Sequence, residues 1–582
     1  MLKSNKKQFA FLIPKICTFL FYFFVSVQAQ ERTVGLLIKQ DAAFEGYTLF
    51  APLNSTTTYL IDINGNLVHS WESNYKPGNS VYLLENGHLL RTGTVENNVI
   101  SGGGAGGRIQ EFNWEGNLVW DFNYSNDIHL QHHDVEYLPN GNVLLVAWEY
   151  KTKAEAILAG RNPNLIKENC LWPDCIIEIE PNGTTGGNVV WEWHIWDHLI
   201  QEFNPAKENY GVVADQPELL NINYLHCGNP GCSGADWNHV NSVDYNAELD
   251  QIIISSHEMS EIYVIDHSTT TAEAAGHTGG NYGKGGDFLY RWGNPQVYQA
   301  GSASDQKLFK QHDAQWIESG LPGAGNILIF NNGQGRPCGD YSSIDEIEPR
   351  IDENGNYEFA TGTAYSPSEQ SWIYTATPES EFYSSFISGA HRLPNGNTVI
   401  CSGANGRFFE VTEDKQIVWE YINPVLSTYG ILTQGEPVPV GKNNSGQNNV
   451  FRCYRYAPDY PGFAGKDLTP GDPIELYPTN IGNSASEIPN NFKLFQNFPN
   501  PFNSETAISY QLSAVSHVEL VIYNVLGQKM RTLENELKST GSYSFIWDGK
   551  NDSGDSIVSG IHYYQLKTGN GFSQTKKMLF LK

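Results

Sequence analysis

"HHDVEYLPNGNVLLVAW", residues 132–148, is the stretch from which the fold is read. Apolar side chains alternate from Val135, a Pro-Asn-Gly turn follows, and the chain returns through an apolar run ending at Trp148. An Asn-Gly dipeptide between two such runs predicts a β-hairpin, because its tight turn needs residues that accept positive φ. This hairpin opens on a pair of histidines.

The same plan recurs in "NSVYLLENGHLLRTG" (79–93), "HVNSVDYNAELDQIIISS" (239–256), "HDAQWIESGLPGAGNILIF" (312–330) and "AHRLPNGNTVICSG" (390–403). A second half-unit is a strand, a Gly-containing turn and a strand ending in Trp. Its copies are "TTYLIDINGNLVHSWES" (57–73), "GRIQEFNWEGNLVWDFN" (107–123), "CIIEIEPNGTTGGNVVWEWH" (175–194) and "GRFFEVTEDKQIVWEYI" (406–422). Two hairpins per unit make about four short strands, the sequence form of a propeller blade. Five hairpins are explicit, and "FEGYTLFAP" (44–52) begins a sixth unit. The expectation is all-β: a six-bladed β-propeller over residues 33–465, with an insertion at 196–235. The segment at 407–421 would pair with the N-terminal strand and leave no raw sheet edge.

Composition agrees. Aromatic residues make up 13% of the chain and 56 residues are glycine, favouring strands and tight turns. The formal charge of −28 excludes the phosphate attraction on which nucleic-acid binding depends. The first 29 residues join a basic start, an apolar run ("ICTFLFYFFV", 16–25) and a small-residue end at Ala29, which predicts a cleaved signal peptide. No later run reaches the length of a membrane-spanning helix. The expected location is secreted or cell-surface, with no membrane span in the mature chain. In an oxidising compartment, Cys170/Cys175 and Cys227/Cys232 read as loop staples, with a zinc site from the two pairs as the alternative, and Cys401 as a buried free thiol.

Residues 478–490 ("PTNIGNSASEIPN") are a polar Gly/Ser/Pro linker. Residues 493–582 show alternating strands separated by turns, the pattern of a small Ig-like β-sandwich. This segment resembles the C-terminal sorting domains of proteins exported by the type IX secretion system. The marks are "NFPNPFN", "IYNVLGQ", "WDGKNDSG", "SGIHYYQL" and the terminal "TKKMLFLK". The resemblance implies passage across the outer membrane and the type IX machinery as a partner.

His133, His239 and His312 each stand at the start of a hairpin, and His391 lies at a similar place. Successive blades bring such positions onto one ring around the axis. No ligand spacing fixes a metal there, and no metal or cofactor is expected. A neutral imidazole can instead act as nucleophile and carry a group transiently.

Residues 33–465 resemble the arylsulfate sulfotransferases, six-bladed propeller enzymes of the bacterial envelope. The marks are "HHDVEYLPNGNVLL", "DWNHVNSVDYNAELDQIIISSHEMSEIYVID", "YRWGNP", "QHDAQWI", "GRFFEVTEDKQIVWEY" and "YRYAPDYPGFAGKDLTPGDP". The resemblance implies transfer of a sulfuryl group from a phenolic sulfate donor to a phenol acceptor through a sulfohistidine, without a nucleotide donor. It makes His312 the nucleophile, with His239, Asn241 and His133 as polar partners and His132 as the register alternative to His133. The family carries an arginine in an "SSR" stretch where this chain has His257, which is charged only when protonated. Arg392 or Arg407 would be the substitutes. Two other readings are a non-catalytic surface propeller that binds phenolic or glycan ligands, and a sulfate-ester hydrolase.

Overall fold

The computed structural model describes residues 32–224, 234–426, 430–441, 445–477, 492–497, 500–503, 505–569 and 571–581. The expected signal peptide, the 478–490 linker and Cys227 and Cys232 lie outside them. The protein is all-β, a six-bladed propeller followed by an Ig-like sandwich.

The blades are antiparallel sheets, numbered from the axis outward along the chain. Blade 2 is Pro77–Leu83, Leu89–Thr94, Gly107–Phe112 and Leu118–Asn123. Blade 3 is His129–Tyr137, Val143–Glu149, Asp174–Asn182 and Gly186–His194. Blade 4 is Val240–Asn246, Gln251–Ser256, Glu261–Asp266 and Tyr290–Trp292. Blade 5 is His312–Trp316, Ile327–Asn331, Ser343–Ile347 and Trp372–Tyr374. Blade 6 is Gly389–Arg392, Thr398–Ser402, Arg407–Val411 and Ile417–Ile422.

Two strands close the ring. Gly35–Lys39 pairs with the outer strand of blade 6, as the sequence predicts (Gly35 opposite Ile422). Val450–Tyr456 supplies the innermost strand of blade 1, beside Tyr47–Pro52, Thr57–Ile61 and Leu67–Glu72. The propeller thus ties its beginning to its end twice and protects both edges.

The tryptophan of each outer strand has a common task. Its indole N–H donates into the following blade: Trp71 to Asn113 O (3.1 Å), Trp120 to Gly186 O (2.9 Å) and Trp191 to Thr269 Oγ1 (3.2 Å). Trp292 donates to Pro367 O (2.7 Å), Trp372 to Glu413 O (3.1 Å) and Trp419 to Ile63 O (2.8 Å). A large apolar ring wedged between blades, with one donor to satisfy, suits an indole.

Cys170 and Cys175 are both free thiols, contrary to the expected staple. Cys175 lies on a blade 3 strand with its thiol in the core, 3.4 Å from Ala147 O, while Cys170 pairs in a separate two-stranded ribbon with Thr152. Cys401 is a buried free thiol, as expected.

The sandwich packs a sheet containing Lys493–Leu494, Thr506–Leu512 and Gly541–Trp547 with one containing Ser516–Asn524, Lys529–Lys538, Gly560–Thr568 and Ser573–Phe580. Between them lies a core of Ile508, Tyr510, Leu520, Trp547, Tyr564 and Met578.

Candidate active site

The inner strands of blades 1 to 5 are bulged. A bulge adds a residue, bends the strand and re-aims side chains. In blade 3 the left-handed residue of the bulge is the histidine itself, His133 at φ 52°, and in blade 4 it is His239, φ 50°, directly before the bulged strand. In blade 5 it is Asp313, φ 54°, directly after His312. Such φ values are rare outside glycine and are tolerated where surrounding bonds hold them.

Those bonds come from neighbouring blades. Asp174 of blade 3 accepts Val240 N of blade 4 (3.0 Å), and Asp134 accepts Val243 N (3.3 Å). Asp313 of blade 5 accepts Ala390 N of blade 6 (2.9 Å). Arg452, from the closing strand, ties the system together. Its Nη1 lies 2.7 Å from Asp134 and its Nε 3.0 Å from Asp313, and Nη2 donates to Asn241 O at 3.0 Å. The two aspartates that follow His133 and His312 are therefore clamped by one buried guanidinium. Burial disfavours its charge, but the two carboxylates outweigh burial and hold its pKa above the ordinary range.

Above this clamp the imidazoles form a continuous row. Ring centroids are 4.6 Å apart for His133–His239, 5.2 Å for His239–His257 and 5.3 Å for His257–His312. His133 and His312 are each only 3% exposed, whereas His239 and His257 are half-buried and give the row its access. His132 lies behind His133: their Nδ1 atoms are 2.8 Å apart, and its ring stacks on Trp148 at 3.8 Å.

Asn241 is placed differently. Its side-chain amide donates to Gln311 O (2.8 Å), the carbonyl just before His312, so it holds the strand that carries His312. His391 is not in the row; it bonds Gln315 Oε1 (2.8 Å) and packs on Tyr454 (4.2 Å). Arg392 and Arg407 do not replace the missing family arginine. Arg392, at the end of the innermost strand of blade 6, is paired with Glu346 of blade 5, and Arg407 with Glu420 on the two outer strands of blade 6.

The hydrogen bonds fix tautomers. Asn332 Nδ2 donates to Ser384 O (2.7 Å) and Ile387 O (3.0 Å), so its Oδ1 must face His312 Nδ1 at 2.7 Å. Nδ1 therefore carries the proton and Nε2 the lone pair, which accepts a long bond from Ile387 N (3.2 Å). Burial first, and then the neighbouring His257, His239 and Arg452, push the His312 pKa well below the histidine range. It is a neutral imidazole with a directed lone pair.

His239 behaves oppositely. Burial alone would lower its pKa, but Asp236, bonded to its Nδ1, outweighs burial and raises it. Asp236 is itself anchored by Trp148 Nε1 (3.0 Å). His257 bonds Glu258 (2.9 Å), whose other oxygen takes Lys310 Nζ (2.6 Å). Burial pushes His257 down to about 4 against the pull of Glu258, with Lys310 adding to the fall. His257 is thus neutral near pH 7, and the carboxylate it bonds is shared with Lys310. Asp236, Asn332, Lys310 and Arg452 escape a reading by motif. The spacing in "DWNH", an aspartate three residues before a histidine, is the one local sign that could have pointed to Asp236.

A family model described as arylsulfotransferase (ASST) matches residues 37–424. The chain belongs to the arylsulfotransferase family. The matched span runs from the N-terminal closing strand through the outer strand of blade 6 and contains the whole histidine row. A second model, the FlgD Ig-like domain, matches residues 500–571. No curated protein matches the chain. Solved structures similar to this arylsulfotransferase-family chain include a protein of unknown function from Bacteroides caccae, at 10% identity, covering 71% of this chain and 98% of that one, TM-score 0.36. Others are a virginiamycin B lyase from Staphylococcus aureus (10%, 69% and 87%, 0.30) and apo AztD from Citrobacter koseri (8%, 71% and 99%, 0.31). Likenesses this distant carry no functional argument.

Proposed function

We propose that this arylsulfotransferase-family protein is an exported aryl-sulfate sulfotransferase that works through a sulfohistidine at His312. The observation that carries the reading is the fixed tautomer of His312, with Nδ1–H held by Asn332 and the lone pair on Nε2. In the first half-reaction Nε2 releases the 3.2 Å bond from Ile387 N and attacks the sulfur of a phenolic sulfate, and the S–O bond to the aryl group breaks. The leaving phenolate takes the proton of the His239 imidazolium, which Asp236 stabilises. In the second, an acceptor phenol returns its proton to His239, its oxygen attacks sulfur, and the S–N bond breaks to restore neutral His312. Neutral His257 stands between these groups and neutral His133 beyond His239, while Lys310 is paired with the Glu258 that His257 bonds.

Brief mixing with a chromogenic aryl sulfate should give phenol-dependent dye release and one added SO₃ on the peptide carrying "QHDAQW". His312→Ala should show neither. Dye release that ignores added phenol would favour the hydrolase reading. Ligand binding without release would favour a binding propeller.

The exported state rests on the N-terminal leader pattern and on the terminal motifs, and we assign the C-terminal sandwich to sorting by the type IX machinery. Among the described residues no helix is long and apolar enough to cross a membrane. Deleting residues from 485 onward should leave the propeller in the periplasm of the producing cell, whereas surface delivery of that truncation would refute the assignment.

A further inference from the structure

Away from the histidine row, His198, His277 and Asp287 converge, with their ligand atoms within 4.8 Å of one another. His198 follows the short turn Ile195–Asp197 after the outer strand of blade 3. The other two flank the glycine-rich "HTGGNYGKGGD" (277–287) between the third and fourth strands of blade 4. We propose that these three side chains bind a divalent cation of the zinc class, joining blade 3 to the blade 4 loop.

The argument starts from His198, which is fully buried. Its Nε2 lies 2.8 Å from Ala274 O. A carbonyl oxygen only accepts, so Nε2 carries a proton and Nδ1 is the ring atom turned to Asp287. Nδ1 faces Asp287 Oδ1 at 2.8 Å. His277 Nδ1 stands 2.8 Å from the same oxygen. Two imidazole nitrogens and a carboxylate oxygen thus converge on one point, the donor set that a divalent cation takes up.

Metal-binding histidines characteristically donate their second N–H to a backbone carbonyl, which fixes the tautomer. The Ala274 contact has that form. Around a tetrahedral zinc ion with bonds near 2.0–2.1 Å, neighbouring donor atoms stand about 3.3 Å apart, so insertion needs only a small opening.

The site is also built. The His198 ring stacks on Trp193 (5.6 Å, 6° between planes), whose indole N–H donates to Gly286 O at 2.7 Å. A Cβ at Gly286 would come within 2.0 Å of Ala274 O and 2.5 Å of His198 Nε2, so only glycine lets the loop press on the ring. His277 is exposed, leaving the remaining coordination position to water. Two histidines and a carboxylate suit zinc, and cobalt can report on the same set.

The test uses the full chain after chelator dialysis, titrated with zinc chloride and followed by metal content and thermal melting. The exposed His277→Ala should fold and turn over aryl sulfate as the parent does. Asp287→Asn keeps the volume and removes the charge. The parent should retain a zinc ion at this site and melt at higher temperature with zinc. Each variant should bind at this site at least about tenfold more weakly, or 1.4 kcal/mol, and lose the zinc-dependent rise. Equal zinc retention and an equal melting shift in parent and His277→Ala would overturn the proposal, because any zinc would then sit elsewhere. So would a parent with no retained zinc and no shift, since the three groups would then be a protonated ion-pair cluster.

Discussion

Asn332 and Asp236 give two histidines in one row opposite chemistry. His312 is held neutral with Nε2 free of a proton, and His239 is held toward the imidazolium form. Asn332→Ala should lower kcat by about 10²–10⁴-fold, because the ring loses the partner that selects its tautomer. Steady-state kinetics beside a melting curve checks that the loss is not unfolding. The pH dependence follows in sign. If His239 must be protonated to release the phenol, kcat/KM for the donor holds at lower pH and falls as pH rises through the raised His239 pKa. Asp236→Asn removes the group that raises it, so the alkaline limb should move to lower pH by about one unit or more. Burial pushes His257 down to about 4, so the neutral substitution His257→Gln should leave that limb where it is. A limb that moves with His257→Gln and not with Asp236→Asn would reverse the assignment.

At the scale of the element, the inner-strand bulge and the outer-strand tryptophan are the two devices repeated around the ring. The bulge presents a side chain to the site, and its exposed N–H groups are taken up by aspartates of neighbouring blades. Arg452 sets the charge balance of this layer. Replacing it with Met would leave Asp134 and Asp313 buried without a counter-ion, and we expect a loss of about 3–5 kcal/mol in urea melts. The tryptophan clamp is smaller in effect. Trp120→Phe keeps a ring between blades 2 and 3 but leaves Gly186 O without its donor, for an expected loss of about 1–3 kcal/mol. Sequence periodicity revealed the hairpins of these blades because Asn-Gly turns are local. The outer strands of blades 4 and 5 were not legible as repeats. Residues 267–289 separate Glu261–Asp266 from Tyr290–Trp292, and residues 348–371 separate Ser343–Ile347 from Trp372–Tyr374.

At the scale of the whole molecule, closure joins residues more than 370 positions apart. Gly35–Lys39 completes blade 6, and Val450–Tyr456 completes blade 1 and brings Arg452 to the axis. A chain ending at Tyr477 keeps both closing strands and the entire histidine row. It should melt as the propeller of the full protein does and turn over the same aryl sulfate. A truncated chain that fails to fold would show that the sandwich is needed for the propeller's stability.

Local patterns in the chain determined the all-β class, the inner hairpins of blades 2 to 6 and the three histidines that open three of them. Turn chemistry and strand alternation act over a few residues, so they are written in neighbouring positions. Tertiary structure alone decided which polar groups meet. Asn332 reaches His312 from the end of the neighbouring blade 5 strand, Lys310 reaches the Glu258 of another blade, and Arg452 arrives from the far end of the propeller. Their partners are set by ring closure and bulge geometry, and no spacing along the chain encodes such a meeting. The His198, His277 and Asp287 cluster follows the same rule, because its ligands become neighbours only when blade 3 packs against the loop of blade 4.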